Sequence, residues 1–331
     1  MLLLCVVFSR KTWYYRCSVK MQKSISNRGN KKKMKKVVAF IILTAILFAT
    51  MEVALKTAGA DMDPFQLTFL RFFLGGVVLV PLALIESRKS GYRPNGKDLL
   101  WLLAVGIMGI PLSMQSFQIG VMNCNAATAA SIICTNSLFT MLIAHLFTDE
   151  KMDRLKWISF FIGMSSLVFL IKPWDVQPGN TFLGVAALLF AAIAFGAYTV
   201  MGRRSIDHVG TFTQTSISFI LGSLVLLVVI LIMGRPVIAG VAENLPIVLY
   251  CGIAVTGLGY MFYFLAIKGS DASTGSIAFF IKPAIAPFFA VIFLHETIQW
   301  NTIVGIILLI TASVITITDT VIKKRKAGGD R

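Results

Sequence analysis

The stretch Ala272–Glu296, ASTGSIAFFIKPAIAPFFAVIFLHE, is apolar enough to cross a bilayer, yet it carries Lys282, then Pro283 at once and Pro287 four residues later. About 20 apolar residues span the ~30 Å hydrocarbon layer. A charge near the centre of such a segment needs a partner, a water-filled cavity or a task. Prolines there free backbone carbonyls, tolerated only where something polar meets them. The fold is decided by whether this segment crosses a membrane, and the function by what Lys282 faces.

The rest of the chain answers the first question. Its 331 residues are 56% hydrophobic and 14% charged, with a mean hydropathy of +0.80; a soluble domain carries roughly a quarter charged residues. The sequence therefore predicts an all-α, polytopic membrane protein. Ten apolar segments are expected, at about 37–57, 64–86, 98–121, 125–147, 155–171, 181–201, 211–233, 246–267, 272–294 and 300–321. The net charge of +16 does not point to nucleic acid, because 26 of the 31 Lys and Arg fall in alternate loops and the two tails. That bias is the signature of cytoplasmic segments. It predicts ten spans in the cell membrane with both termini in the cytoplasm. Residues 1–36 hold eleven Lys or Arg and no acid, a basic cytoplasmic tail suited to anionic lipid. The order of its apolar and basic parts is not that of a signal peptide. Part of it is expected to be an over-extended start, with Met21 and Met34 as alternatives to Met1. A second basic tail occupies 322–331. The five cysteines, Cys5, Cys17, Cys124, Cys134 and Cys251, have neither paired nor metal-like spacing, and no cofactor is expected.

An internal repeat fixes the organisation. A slide of 146 residues brings Gly106-Ile107 onto Gly252-Ile253, Ala126 onto Ala272, Thr128 onto Thr274, Phe147 onto Phe293 and Glu150 onto Glu296. A slide of 147 brings Phe48 onto Phe195, Phe65 onto Phe212, Phe72 onto Phe219 and Leu74-Gly75 onto Leu221-Gly222. Five spans per half, 37–171 and 181–321, turn the second half upside down, giving two inverted repeats with a site near the midplane between them.

With those residues in hand, the chain resembles the ten-helix EamA type of the drug/metabolite transporter superfamily. The resemblance rests on FLRFFLGG at 69–76, the A-x-T start of the fourth and ninth spans, the Pro-rich ninth span, and the endings FTDE (147–150) and FLHE (293–296). It covers about 37–320 and implies a transporter of small metabolites, often an exporter. The first span departs from the family pattern, reading LFATMEVALK at 47–56 and so placing Glu52 within it; Lys282 also stands where a small or apolar residue is common.

Depth follows from the ~1.5 Å rise per helical residue. Glu52 lies ~8 Å and Arg71 ~10 Å from the outer face, and Lys282 ~15 Å deep. A Glu52–Arg71 ion pair is feasible, with Lys56 a competitor one turn from Glu52. In the repeat register Lys282 falls on Asn136. Glu52, Arg71 and Lys282 facing one cavity would favour a carboxylate-bearing solute, with Glu52 the proton-coupling site. The bland alternative is a charge-balanced triad that only fixes packing. Asn136, Tyr198 and Gln115 are further substrate-binding candidates. Gln118, Asn123, Asn125, Tyr260 and Tyr263 rank below them, as cavity lining or interhelical hydrogen bonds. His145 reads as an interfacial histidine, Glu150 and Glu296 as caps or partners of basic residues, and Asp319 as a partner of the terminal KKRK.

The expected function is secondary active transport of a small metabolite, such as an amino acid or another carboxylate, by alternating access. Drug or cation efflux on the same fold is the alternative. No Walker loop, HExxH or GxSxG is present, which argues against ATP drive within this chain and against a membrane enzyme; nothing resembles a repeated channel filter. Substrate and lipid bilayer are the expected partners, and oligomeric state is not legible.

Overall fold

The computed structural model describes residues 34–171, 179–270, 272–275 and 277–329; for residues 273, 280, 284, 317 and 319–329 the backbone alone is described. The basic tail before Met34, Cys5, Cys17, Lys172, and the side chains of Asp319 and the KKRK run lie outside the described residues. Within them the chain is helical and has no strand.

Among the described residues, eight helices are long and apolar enough to cross a membrane: α1 Met34–Ala58, α2 Pro64–Ser90, α3 Gly96–Met122, α4 Ala126–Phe147, α5 Arg154–Ile171, α6 Phe182–Val209, α7 Thr211–Ile232 and α8 Leu245–Gly269. Two further apolar helices follow, α9 Ala278–Leu294 and α10 Trp300–Gly329. Local chemistry sets the starts. Asp63 accepts from the N–H groups of Phe65 and Gln66 ahead of Pro64, while Asn95 and Asp98 form a reciprocal capping box for α3. Such caps satisfy donors that the helix leaves unpaired.

Two elements differ from expectation. α6 runs through Arg203 and Arg204 to Val209, where the sequence suggested a loop after 201; an i,i+4 Arg203–Asp207 pair at 2.8 Å supports the extra turns. In the ninth segment the helix carries on through both Pro283 and Pro287. Upstream, a short helical stretch Ala272–Gly275 is separate from α9, with Ile277 in neither. Packing holds the proline-bearing helix: Ala286 sits against Ala49 and Ala130, and Ala290 against Ala126 and Ala127.

The helices pack as counterparts five apart. α2 lies against α7, α4 against α9, and α5 against α10, while α3 packs on α6 and α7, and α8 on α2. Glycines set the closest approaches. A Cβ on Gly106 would fall 2.4 Å from the Ser218 carbonyl oxygen, and one on Gly222 2.5 Å from that of Gly106. The matching contact joins Gly75 to Gly252, whose carbonyl oxygen would lie 3.1 Å from a Cβ on Gly75. In the repeat register Gly75 corresponds to Gly222 and Gly252 to Gly106. One contact has thus been built twice.

The two third-position helices also share a backbone irregularity, π-helical turns at Met108–Met114 and Tyr250–Leu258. Such turns widen the helix and recur at functional sites. At the centre, Phe72 meets its own counterpart Phe219 edge-on, centroids 4.8 Å apart. The Tyr260 hydroxyl donates to the sulfur of its counterpart Met114 at 3.1 Å.

The glycine contacts generate a prediction. Gly222→Val forces a side chain into backbone and should destabilise the protein by roughly 1–3 kcal/mol, read as a lowered thermal midpoint in detergent. Gly96→Ala, where nothing lies within 4 Å, should leave that midpoint unchanged.

Candidate functional site

Three charged side chains lie in the buried interior among the described residues: Glu52 on α1, Arg71 on α2 and Lys282 on α9, all at most 1% exposed. The Lys282 ammonium donates to Glu52 Oε1. This differs from the Glu52–Arg71 pairing that depth suggested. Arg71 turns to other partners: its Nη1 reaches the Met51 sulfur at 3.5 Å and its Cζ stands 4.7 Å from the Phe72 ring centroid. Arg71 remains within electrostatic reach of Glu52, Tyr260 and Cys251. Lys56 does not compete for Glu52. It binds Glu296 at 2.8 Å and the Cys124 carbonyl at 3.1 Å.

The polar groups around the pair are conspicuous for what they do not bond. Glu52 Oε2, Arg71 Nε and Nη2, and both carboxamide atoms of Gln115, Gln118 and Asn136 are buried without a hydrogen-bond partner in the protein. Buried polar atoms are otherwise almost always paired. Lys282 lies 5.7 Å from the Phe117 ring centroid, which brings the Gln115–Gln118 turn of α3 beside it. Cys134, two residues before Asn136, lies within electrostatic reach of Lys282 and Glu52. Gln115 and Gln118 flank Phe117 in sequence on α3, and Asn136 follows Cys134 by two residues on α4.

The other candidates have partners of their own kind. Tyr198 packs in an aromatic cluster with Phe195, Tyr260 and Phe264, and Tyr263 shares a hydrogen bond of 2.9 Å with Thr199. Asn123 bonds the Ile119 carbonyl, and the Asn125 N–H donates to Asn180, both ordering the turn before α4. His145 accepts from the Met152 N–H at 3.3 Å and packs edge-on to Trp157, a local helix-end contact.

Glu150 and Glu296 each bind the opposite half. Glu296 accepts from the N–H groups of Ala126 and Ala127 at 2.8 and 3.1 Å, and Glu150 accepts from that of Ala272 at 3.1 Å. Since Ala126 and Ala272 are register counterparts, the exchange is reciprocal. Beside Glu150 a cavity of about 1250 Å³ opens between α3, α4 and α6, lined among others by Trp101, Phe147, Met201, Arg203 and Asp207 and reaching Ala197. Sequence reading missed the paired π-helical turns, whose signal was Pro111 with Gly109 in one half and Gly257 with Gly259 in the other. It also missed Glu86, which accepts from the N–H groups of Thr211, Phe212 and Thr213 at the start of α7.

The ion pair generates a prediction. Glu52→Gln or Lys282→Met alone leaves a buried charge unmatched and should cost about 3–5 kcal/mol, whereas the double substitution should cost much less than the two together. A double-mutant cycle on thermal unfolding measures this; simple additivity would contradict a direct pair.

Comparison with known proteins places these features in a family. The model of the EamA-like transporter family matches twice, over residues 35–172 and 182–318. A Clostridium kluyveri protein named as an uncharacterized transporter is 34% identical over 290 residues, covering 85% of this chain and 93% of that one. The Bacillus subtilis transporter YoaV is 26% identical, covering 83% and 94%. The S-adenosylmethionine uptake transporter of Rickettsia bellii is 26% identical over 160 residues, 47% of this chain and 53% of that one. A solved structure with a TM-score of 0.65 at 18% identity covers 84% of this chain and 94% of its own, a likeness of fold. The helices, the doubled family match and the extent of the likeness to transporters lead to one conclusion: this chain is a multi-pass membrane protein of the EamA-like transporter family, within the drug/metabolite transporter superfamily.

Proposed function

We propose that this protein is a secondary active carrier for a small carboxylate-bearing solute, with Arg71 as the anion-binding group. The observation that carries this reading is a fully buried guanidinium whose Nε and Nη2 have no partner in the protein. Those two atoms form one edge of the guanidinium, the edge that meets a carboxylate through two parallel hydrogen bonds. A buried cation without an anion is costly, and Lys282 already holds Glu52. A solute carboxylate on Arg71 relieves that cost. Lys282, Asn136, Gln115 and Tyr198 complete the proposed binding region. A stability-only triad would not account for the unpartnered carboxamides gathered beside it.

The architecture proposed is ten transmembrane helices in two inverted five-helix repeats, 37–171 and 181–321, in the cell membrane with both termini cytoplasmic. The doubled glycine contact and the reciprocal capping by Glu150 and Glu296 support it, because a two-fold relation turns each such contact into its twin. They support alternating access as well: each cap ties one half to the other at one end of the bundle, and opening that end breaks it. The cavity beside Glu150, which Ala197 also lines, serves as the cytoplasmic approach to the site. Glu52 is proposed as the proton-coupling group. It faces Lys282 from α9, Arg71 from α2 and the Cys134 thiol from α4, so gain or loss of its proton changes the charge balance of the whole site. The Rickettsia bellii relative is compatible with uptake as the direction, since its name says so.

Two measurements test this reading. Purified protein in proteoliposomes should show saturable counterflow of a carboxylate, and Arg71→Lys, which keeps the charge but loses the fork, should weaken apparent affinity by about 10–100-fold, the range for a charge-assisted hydrogen bond. Non-saturating conductance would replace the carrier with a channel. For coupling, Glu52→Gln should abolish the stimulation of flux by an imposed pH gradient for whichever solute the variant still exchanges; unchanged stimulation would remove Glu52 from that role.

A further inference from the structure

The proposed carboxylate site has a charge that can be counted. Among the described residues the buried interior holds one carboxylate, Glu52, and two cations, Arg71 and Lys282. The other ion pairs among the described residues, Lys56–Glu296, Arg203–Asp207, Arg235–Asp63 and Lys268–Glu86, have cations with side chains 28%, 26%, 37% and 46% exposed. Groups within electrostatic reach of Arg71 besides Glu52 are Tyr260 and Cys251, neutral in their ordinary forms. Aromatic rings enclose the cluster. Phe72 lies against Arg71, and Phe117 against Lys282. In such surroundings an unbalanced charge is disfavoured by far more than it is in water, because the field is weakly screened.

From this we infer that the site selects its solute by net charge, taking a monoanion in preference to zwitterions, dianions and amines of the same size. This deepens the carboxylate reading above and rests on it. The carboxylate lies on the Nε/Nη2 edge of Arg71 and brings the interior to neutrality. A zwitterion offers the same carboxylate but leaves the interior at +1, since its ammonium adds what its carboxylate removes. A dianion overshoots to −1. The preference comes from the count of buried charges, so it follows the count when residues change. Glu52→Gln raises the empty interior to +2 and should move the optimum to a dianion. The double variant Glu52→Gln/Lys282→Met keeps it at +1 and should keep the monoanion optimum, although the ion pair itself is gone.

The test is ligand-induced thermal stabilisation of the purified full-length chain by two size-matched series. One is butylamine, 2-aminobutanoate, butanoate with 2-hydroxybutanoate, and succinate. The other is 3-phenylpropylamine, phenylalanine, 3-phenylpropanoate with 3-phenyllactate, and phenylsuccinate. At pH 7.5 the monoanions should stabilise the protein at concentrations at least tenfold below their zwitterionic and dianionic counterparts, because a ligand that binds only the folded state raises the midpoint by mass action. In Glu52→Gln the ranking should move to the dianions; in the double variant it should stay with the monoanions. Equal or better stabilisation by the zwitterions in the wild-type protein overturns the inference, as does a dianion preference in the double variant. If Glu52→Gln does not purify folded, the wild-type and double-variant rankings decide by themselves. Carboxylates that bind without regard to net charge would defeat this inference alone, leaving the carrier reading in place. No stabilisation by any carboxylate in either series would remove both.

Discussion

An apolar interior cannot hold an unmatched charge without consequence, and three charges lie in the interior of this protein. The Lys282–Glu52 pair answers two of them and does mechanical work in the same contact. It joins α1 to α9, helices 230 residues apart in the chain, across the division between the two family matches. The third, Arg71, has an aromatic face and a thioether sulfur for company but no carboxylate. The polar constellation around the pair follows from that asymmetry. Glu52 and Lys282 are balanced within the protein, and Arg71 is the group that the proposed carboxylate would balance.

Around the charges, packing is achieved without the hydrophobic drive that folds soluble proteins. Lipid is as apolar as leucine, so helices associate through close contact, and small residues make it possible. Gly106 with Gly222, and Gly75 with Gly252, bring backbones within van der Waals reach where any side chain would collide. Glu150 and Glu296 add polar ties at the helix starts, each accepting from N–H groups that the helix cannot satisfy itself. Every one of these contacts links one family unit to the other. The halves are therefore held by features that are individually small and locally reversible, as a carrier requires.

Much of this architecture could be read in the chain beforehand, because its signals are one-dimensional. Helix positions follow from runs of apolar residues, and the doubling from a constant offset that also located the glycine and glutamate pairs before their contacts were known. The site was legible only in outline. Glu52, Arg71, Lys282, Asn136 and Gln115 stood out as polar residues in apolar runs, and the structure brings Lys282 and Arg71 within reach of Glu52. Tyr198 stood out for the same reason; its ring lies in the aromatic packing, and its buried hydroxyl has no partner in the protein. Sequence separation supplies depth along a helix but not the rotation that aims a side chain, which is why Glu52 and Arg71 looked like partners.

By itself, then, the sequence determined the class of protein, the duplicated family unit, and the depth at which charge is buried. These depend on composition, on the cost of placing polar groups in hydrocarbon, and on the fixed rise of a helix. Tertiary structure decided which cation Glu52 holds, that α9 runs unbroken through its prolines, and that Arg71 presents an open edge. These depend on how helices distant in the chain are rotated and pressed together, which spacing along a single helix does not encode.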